Sequence, residues 1–160
     1  SVFIRRAFLD TIGTLPTATE VETFLKDKSK DKRDKLIDKL LTRSEFIDFW
    51  TYKWSDLLLI NGTKLRPQAV NSFYSWVKAE VKKNTPWDEF VRKIVTSTGN
   101  SFTNGATNFY ALHQDPENMS ENVSQAFLGL SIACAKCHNH TLEKWTNNQY
   151  YAMANIFSRV

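Results

Sequence analysis

The sequence is short of the residues that staple, kink or ligate. Its 160 residues hold only two cysteines, three histidines, two methionines, five glycines and four prolines. Two cysteines cannot build a disulfide framework, so stability must come from a packed core, and the length suits one domain with a core of useful size. So few glycines and prolines exclude collagen-like and low-complexity chains. No apolar run approaches the roughly 20 residues that cross a bilayer as a helix, and no signal peptide is evident. Charge of one sign is not concentrated either. The formal net charge is +4, and between Lys26 and Lys39 the basic residues are interleaved with Asp and Glu. That pattern is a solvated helical face, not a one-signed footprint for nucleic acid. No hydrolase triad and no phosphate loop stand out.

Aromatic side chains are plentiful: eleven Phe, five Trp and five Tyr. Their periodicity, with the capping signals, predicts an all-α chain, a single compact multi-helix domain over residues 1–160. The chain opens inside an amphipathic helix, Val2 to Ile12, so a fragment of a longer protein is expected. Thr17-Ala18-Thr19-Glu20 is a capping box that starts a helix to about Lys26. Leu36, Ile37, Leu40 and Leu41 share a face over 31–42, and Phe46, Phe49, Trp50, Trp54, Leu57 and Leu58 recur from a Ser44 cap to the stop at Asn61-Gly62. Helices follow from Arg66-Pro67, with Phe73, Trp76, Val77 and Val81 on one face, and from a Thr85 cap before Pro86, with Phe90, Val91, Ile94 and Val95 buried. Residues 97–105 read as a loop and 109–112 as an extended piece. Asp115-Pro116 opens a helix expected to run through Phe127 to about Cys137. Thr146 and Gln149 form a second capping box, stapled by Trp145 against Tyr150.

Both cysteines fall in Cys134-Ala135-Lys136-Cys137-His138. This is C-x-x-C-H, the spacing of haem c attachment: two thiols one helical turn apart reach the two vinyl groups along one side of a porphyrin, and the next residue, His138, rises to the iron as proximal ligand. The other ring nitrogen of His138 should donate to a backbone carbonyl. Other uses of two close thiols remain open: a thioredoxin-type pair, which expects a βαβ context; a zinc or iron site of Cys134, Cys137, His138 and His140, crowded into one segment; and a local disulfide.

Residues 127–157, through Phe-Leu-Gly-Leu-Ser-Ile-Ala-Cys-Ala-Lys-Cys-His-Asn-His, Trp145-Thr146 and Gln149-Tyr150-Tyr151 to Phe157, resemble the second type of planctomycete cytochrome-c-like domain, also catalogued as a domain of unknown function. Arg5 to Pro16, Trp50 to Asp56, Asn108-Phe109-Tyr110 and Asp115-Pro116-Glu117 extend the likeness over nearly the whole chain. The resemblance implies a domain of a large exported bacterial protein, often beside a conventional cytochrome c domain. It places the attachment cysteines at Cys134 and Cys137 and the proximal ligand at His138. His140, Trp145, Tyr150 and Tyr151 match recurrent positions of such domains. The family commonly has Pro after the second histidine, where this chain has Thr141.

Candidates for a sixth iron ligand are His113, Met153 and, more remotely, Met119. His140 is too close in sequence to His138 to approach one iron from the opposite face, and suits a hydrogen bond to a propionate. Trp145, Tyr150, Tyr151, Phe127 and Tyr110 are candidates to wall a haem pocket. Two protein ligands would favour electron transfer; an open position would allow ligand binding or peroxide chemistry. Without a distal Arg–His constellation, an electron-transfer or redox-sensing module is expected before an enzyme. Its covalently attached haem c implies periplasmic or extracellular maturation, and a redox protein or neighbouring cytochrome domain as partner. The alternative is a non-haem zinc or iron site, or a purely structural interaction domain.

Overall fold

A computed structural model describes residues 2–159. Among them there are nine α-helices and no strand, as the periodicity predicts. They are α1 (Val2–Ile12), α2 (Ala18–Lys26), α3 (Lys32–Leu41), α4 (Ser44–Leu57), α5 (Pro67–Lys82), α6 (Trp87–Val95), α7 (Asn108–Leu112), α8 (Pro116–Leu128) and α9 (Asn147–Phe157). Short 3₁₀ turns occupy Gly105–Thr107 and Ala133–Lys136. None of these helices is long and apolar enough to cross a membrane.

The starts of several helices follow from their caps. Thr17 and Glu20 form the reciprocal box on α2, and Thr146 and Gln149 form it on α9. Asp115 accepts from the Asn118 N–H ahead of α8, with Pro116 in the first turn, where its missing N–H costs nothing. Each such cap satisfies backbone donors that the helix geometry orphans.

Apolar side chains gather in three clusters. The N-terminal helices close on Ile4, Phe8, Ile12, Phe24 and Leu40. The largest cluster joins α5 to α8 around Phe73, Val77, Ile94, Phe109, Leu112 and Phe127. A small third one, Ile132, Ala135 and Tyr150, lies under the cysteine segment, with Leu130, Trp145 and Met153 packed against it.

Four expectations are corrected. The helix from Asp115 does not reach Cys137. It stops at Leu128, where Gly129 takes the left-handed conformation (φ 67°) that ends helices cheaply only at glycine, and the Leu130 N–H returns to the Ser124 carbonyl. Residues 109–112 are helical, not extended, because Phe109 and Leu112 then both enter the main cluster. Helix α4 ends at Leu57 instead of Asn61, as Leu58 turns into the core and Leu59 adopts a positive φ of 59°. Helix α6 begins one residue late, at Trp87. The Thr85 hydroxyl does not cap it and instead donates to the buried Glu80 carboxylate at 2.7 Å.

The aromatic stripe of α4 also differs from a simple core face. The buried side chains of that helix are Thr51 and Ser55, which allow close approach, while Phe46, Phe49, Trp50 and Trp54 are only half-buried.

Candidate functional site

The cysteine segment is a single 3₁₀ turn set on the third cluster. In a 3₁₀ turn, residues three apart eclipse one another. Cys134 and Cys137 are so related, and the Cys137 N–H returns to the Cys134 carbonyl at 3.4 Å. Ala135 is fully buried against Ile132 and Tyr150, so the opposite side of the turn faces water. Both thiols are exposed and unbridged. His138 is exposed beside them.

The imidazole of His138 has one committed ring nitrogen. Its Nδ1 lies 2.7 Å from the Asn139 carbonyl. A carbonyl can only accept, so Nδ1 carries the proton and the Nε2 lone pair is left free. This is the carbonyl bond expected from the sequence. His140 is the reverse case. Its Nδ1 accepts from the backbone N–H groups of Leu142 (3.2 Å) and Glu143 (2.9 Å), so the proton sits on Nε2. The His140 backbone N–H donates to the Trp145 carbonyl at 2.7 Å, closing the loop that leads to α9. Ligation would cost the two bonds that the His140 ring accepts, directly at Nδ1, or at Nε2 by shifting the proton onto Nδ1. Consistent with that, no three His, Cys, Asp or Glu side chains among the described residues converge on a metal-sized position.

The turn is held from two sides by residues that its motif does not name. From α9, the Asn147 amide donates to the carbonyls of Ala135 (3.0 Å) and Lys136 (2.9 Å), and the Tyr151 hydroxyl donates to Lys136 (3.2 Å). The Asn147 N–H donates in turn to the Asn139 side chain at 3.0 Å. From α8, Glu117 pairs with Lys136 at 2.6 Å, a bond that raises the lysine's pKa. Tyr150 is fully buried, and its hydroxyl donates to Glu121 at 2.6 Å. Burial first, and then the Glu121 carboxylate, hold the phenol well above its ordinary pKa, so it stays protonated. In the sequence, Asn147, Glu117 and Glu121 read only as helix residues. The one available signal was position: Asn147 follows the capping Thr146, where a side chain can reach back across the loop.

The remaining predicted residues are dispersed. Trp145 packs beside Tyr150. Met153 lies between the main and third clusters, its sulfur accepting from the Ser124 hydroxyl at 3.5 Å. Met119 is buried in the main cluster, as is Phe127, while Tyr110 packs against that cluster and donates to the Val95 carbonyl. His113, expected in a loop, is 4% exposed at the end of α7. Its Nε2–H donates to the Leu58 carbonyl at 3.3 Å, and its ring lies 4.7 Å from that of Phe109.

Burial lowers the pKa of His113 below its ordinary 6.5, against the Leu58 bond, which favours the charged ring. The unfolded chain therefore binds a proton at a pH where the folded chain does not. His113 gives stability that is intact above the unfolded value and lost as pH falls below it. A melting temperature that drops between pH 7 and pH 5, with the drop reduced in His113→Gln, is the expected result. An equal drop in that variant would assign the acid sensitivity elsewhere.

Over residues 1–160 the chain matches the family described as PSCyt2, protein of unknown function (DUF1549). The chain belongs to that family. That family is the second type of planctomycete cytochrome-c-like domain, the one the sequence resembles. No curated protein and no solved structure matches the chain.

The donor set fits a haem c. Two eclipsed, unbridged thiols stand on one side of a turn, and a neighbouring imidazole presents a free Nε2. Apolar surface is also left uncovered close by: Leu142, in the loop braced by His140, is 91% exposed, and Tyr151 is 43% exposed.

Proposed function

We propose that this chain is a one-haem c module that transfers electrons or senses redox state in an exported bacterial protein. The observation that carries the proposal is the pairing of two side-by-side exposed thiols with a His138 ring whose Nδ1–H is committed to the Asn139 carbonyl. Cys134 and Cys137 would hold the porphyrin through thioether bonds, and His138 Nε2 would ligate the iron. Bound there, the group supplies a one-electron iron couple.

The chain's own residues have three tasks. Asn147, Tyr151 and Glu117 fix the turn, so the thiols keep their spacing. Asn139 fixes the tautomer of His138 and through its carbonyl strengthens the ring as a donor. His140, with its proton on Nε2, offers a hydrogen bond to a propionate without competing for iron. The other candidate ligands lie away from the thiols: Met153 packs beneath the turn, on the side opposite the exposed cysteines, and His113 is committed to Leu58 in the main core. Covalent attachment requires reduced thiols and export, hence a periplasmic or extracellular location and a redox protein, or a neighbouring cytochrome domain, as partner.

The test is expression with an export signal and haem c maturation factors. Expected are a haem c alpha band and haem that survives denaturing electrophoresis, with Cys134→Ala or Cys137→Ala weakening the linkage and the double variant abolishing it. Correctly exported protein without covalent haem would overturn the proposal, as would stoichiometric zinc with both thiols protected from alkylation.

A further inference from the structure

Histidine and methionine are the usual side-chain donors for a second axial bond to haem iron. Besides His138 the sequence holds two histidines and two methionines, and each is committed elsewhere. His113 is buried, with its Nε2–H on the Leu58 carbonyl and its ring 4.7 Å from that of Phe109. Moving it out would unpack the main cluster and leave that carbonyl without its partner. Met119 is buried in the same cluster. Met153 packs on Ile132, Ala135 and Tyr150 beneath the cysteine turn, and its sulfur accepts from the Ser124 hydroxyl at 3.5 Å. Recruiting it would open the cluster on which the turn rests.

His140 is two residues from His138, too near in the chain to approach the same iron from the opposite face. Its ring is also held by the Leu142 and Glu143 N–H groups at 3.2 and 2.9 Å. The two tyrosines of α9 are committed as well. The Tyr150 hydroxyl donates to Glu121, and the Tyr151 hydroxyl donates to the Lys136 carbonyl at 3.2 Å. Lysine amines are protonated near neutral pH and then offer iron no lone pair. Lys136, inside the motif, is in addition paired with Glu117 at 2.6 Å.

The surroundings of the motif say which kind of outside ligand suits it. The polarity and hydrogen-bond donors around a haem decide between binding a small molecule and activating one. Peroxide and superoxide gain from a cation beside the iron, and the sequence from Phe127 to Phe157 contains no arginine. What lies exposed beside the thiols is apolar: Leu142 in the loop braced by His140, and the Tyr151 ring. A small uncharged molecule needs no more than that. Resting on the haem c reading above, we infer that this chain leaves the second axial position of the iron open and that the module binds a neutral diatomic ligand there. Of the two roles proposed, sensing is then favoured over electron transfer, which is served by two protein ligands.

Spectra of the full chain carrying covalent haem c test it, with carbon monoxide as the probe. The resting ferric protein should be high-spin. After reduction with dithionite it should bind carbon monoxide saturably, with half-saturation at about 10 μM or below. Met153→Leu, which conserves volume, and His113→Gln should bind it within about twofold of the parent. Covalent haem that is low-spin in both oxidation states and takes up no carbon monoxide at about 1 mM overturns the inference while leaving the haem c assignment intact. So does uptake that appears only in Met153→Leu, His113→Gln or His140→Gln, because the replaced side chain is then the missing ligand. Exported protein without covalent haem overturns the assignment and the inference together.

Discussion

Replacing Tyr150 by alanine is expected to cost about 3–5 kcal/mol of unfolding free energy, the range for deleting a large buried ring. Tyr150 is wholly buried, and it is the principal wall behind Ala135, the inward-facing residue of the cysteine turn. Leu130, Trp145 and Met153 pack on the same cluster but cannot all move in, because Trp145 is fixed to the His140 loop through its carbonyl. A cavity therefore remains. Against a typical total of roughly 5–15 kcal/mol, such a loss is large. Tyr150→Phe separates the ring from the hydroxyl: it removes only the 2.6 Å bond to Glu121, whose half-exposed carboxylate can rehydrate, so about 1–2 kcal/mol is expected. Urea unfolding measures both. Because the third cluster lies directly under the cysteine turn and away from α5, Tyr150→Ala should also speed hydrogen exchange at the Cys137 and His138 amides more than at α5. A loss below about 1 kcal/mol, or uniform exchange, would mean that the turn does not rest on this ring.

The helical architecture was legible because its signals are local. Capping boxes at Thr17 and Thr146 act within one turn, and the faces carrying Phe73 and Phe90 obey the helical period. The cysteine spacing was equally plain. What could not be read was whatever depends on partners distant in sequence. Thr85 looked like a cap, yet its hydroxyl goes to Glu80, which α5 delivers. Gly129 does not read as a stop, because apolar residues continue past it, although its left-handed conformation separates α8 from the turn. The clamp on the turn joins α8, α9 and the motif, and Asn147 has no property in isolation that marks it as the residue holding two motif carbonyls. His113 looked like a surface loop residue because the short α7, which buries it, offers too few residues to show a period.

Gly105→Ala is expected to destabilise the chain by about 3 kcal/mol, although the substitution is ordinarily mild. The backbone there does not need glycine for its φ, which is not positive. The cause is proximity. A Cβ at this position would lie 2.4 Å from the Ser72 carbonyl oxygen and 2.6 Å from Trp76 Cβ. Both atoms belong to the body of α5, so neither can swing aside as a side-chain tip would. Nor can the 3₁₀ turn retreat freely, since Asn108 donates to the Gly105 and Ser101 carbonyls and Ser72 donates to Ser101, tying the segment to α5. Relief must come from moving α5 off the turn, and Trp76, packed 5.2 Å from Phe90, would carry the strain into α6. For a chain of this length, about 3 kcal/mol corresponds to a melting temperature lower by roughly 6–12 °C. Gly62→Ala is the matched control: nothing lies within 4 Å of its added methyl, so a change within about 0.5 kcal/mol is expected. If the two variants melted together, α5 and the turn would have to be less closely packed than their geometry shows.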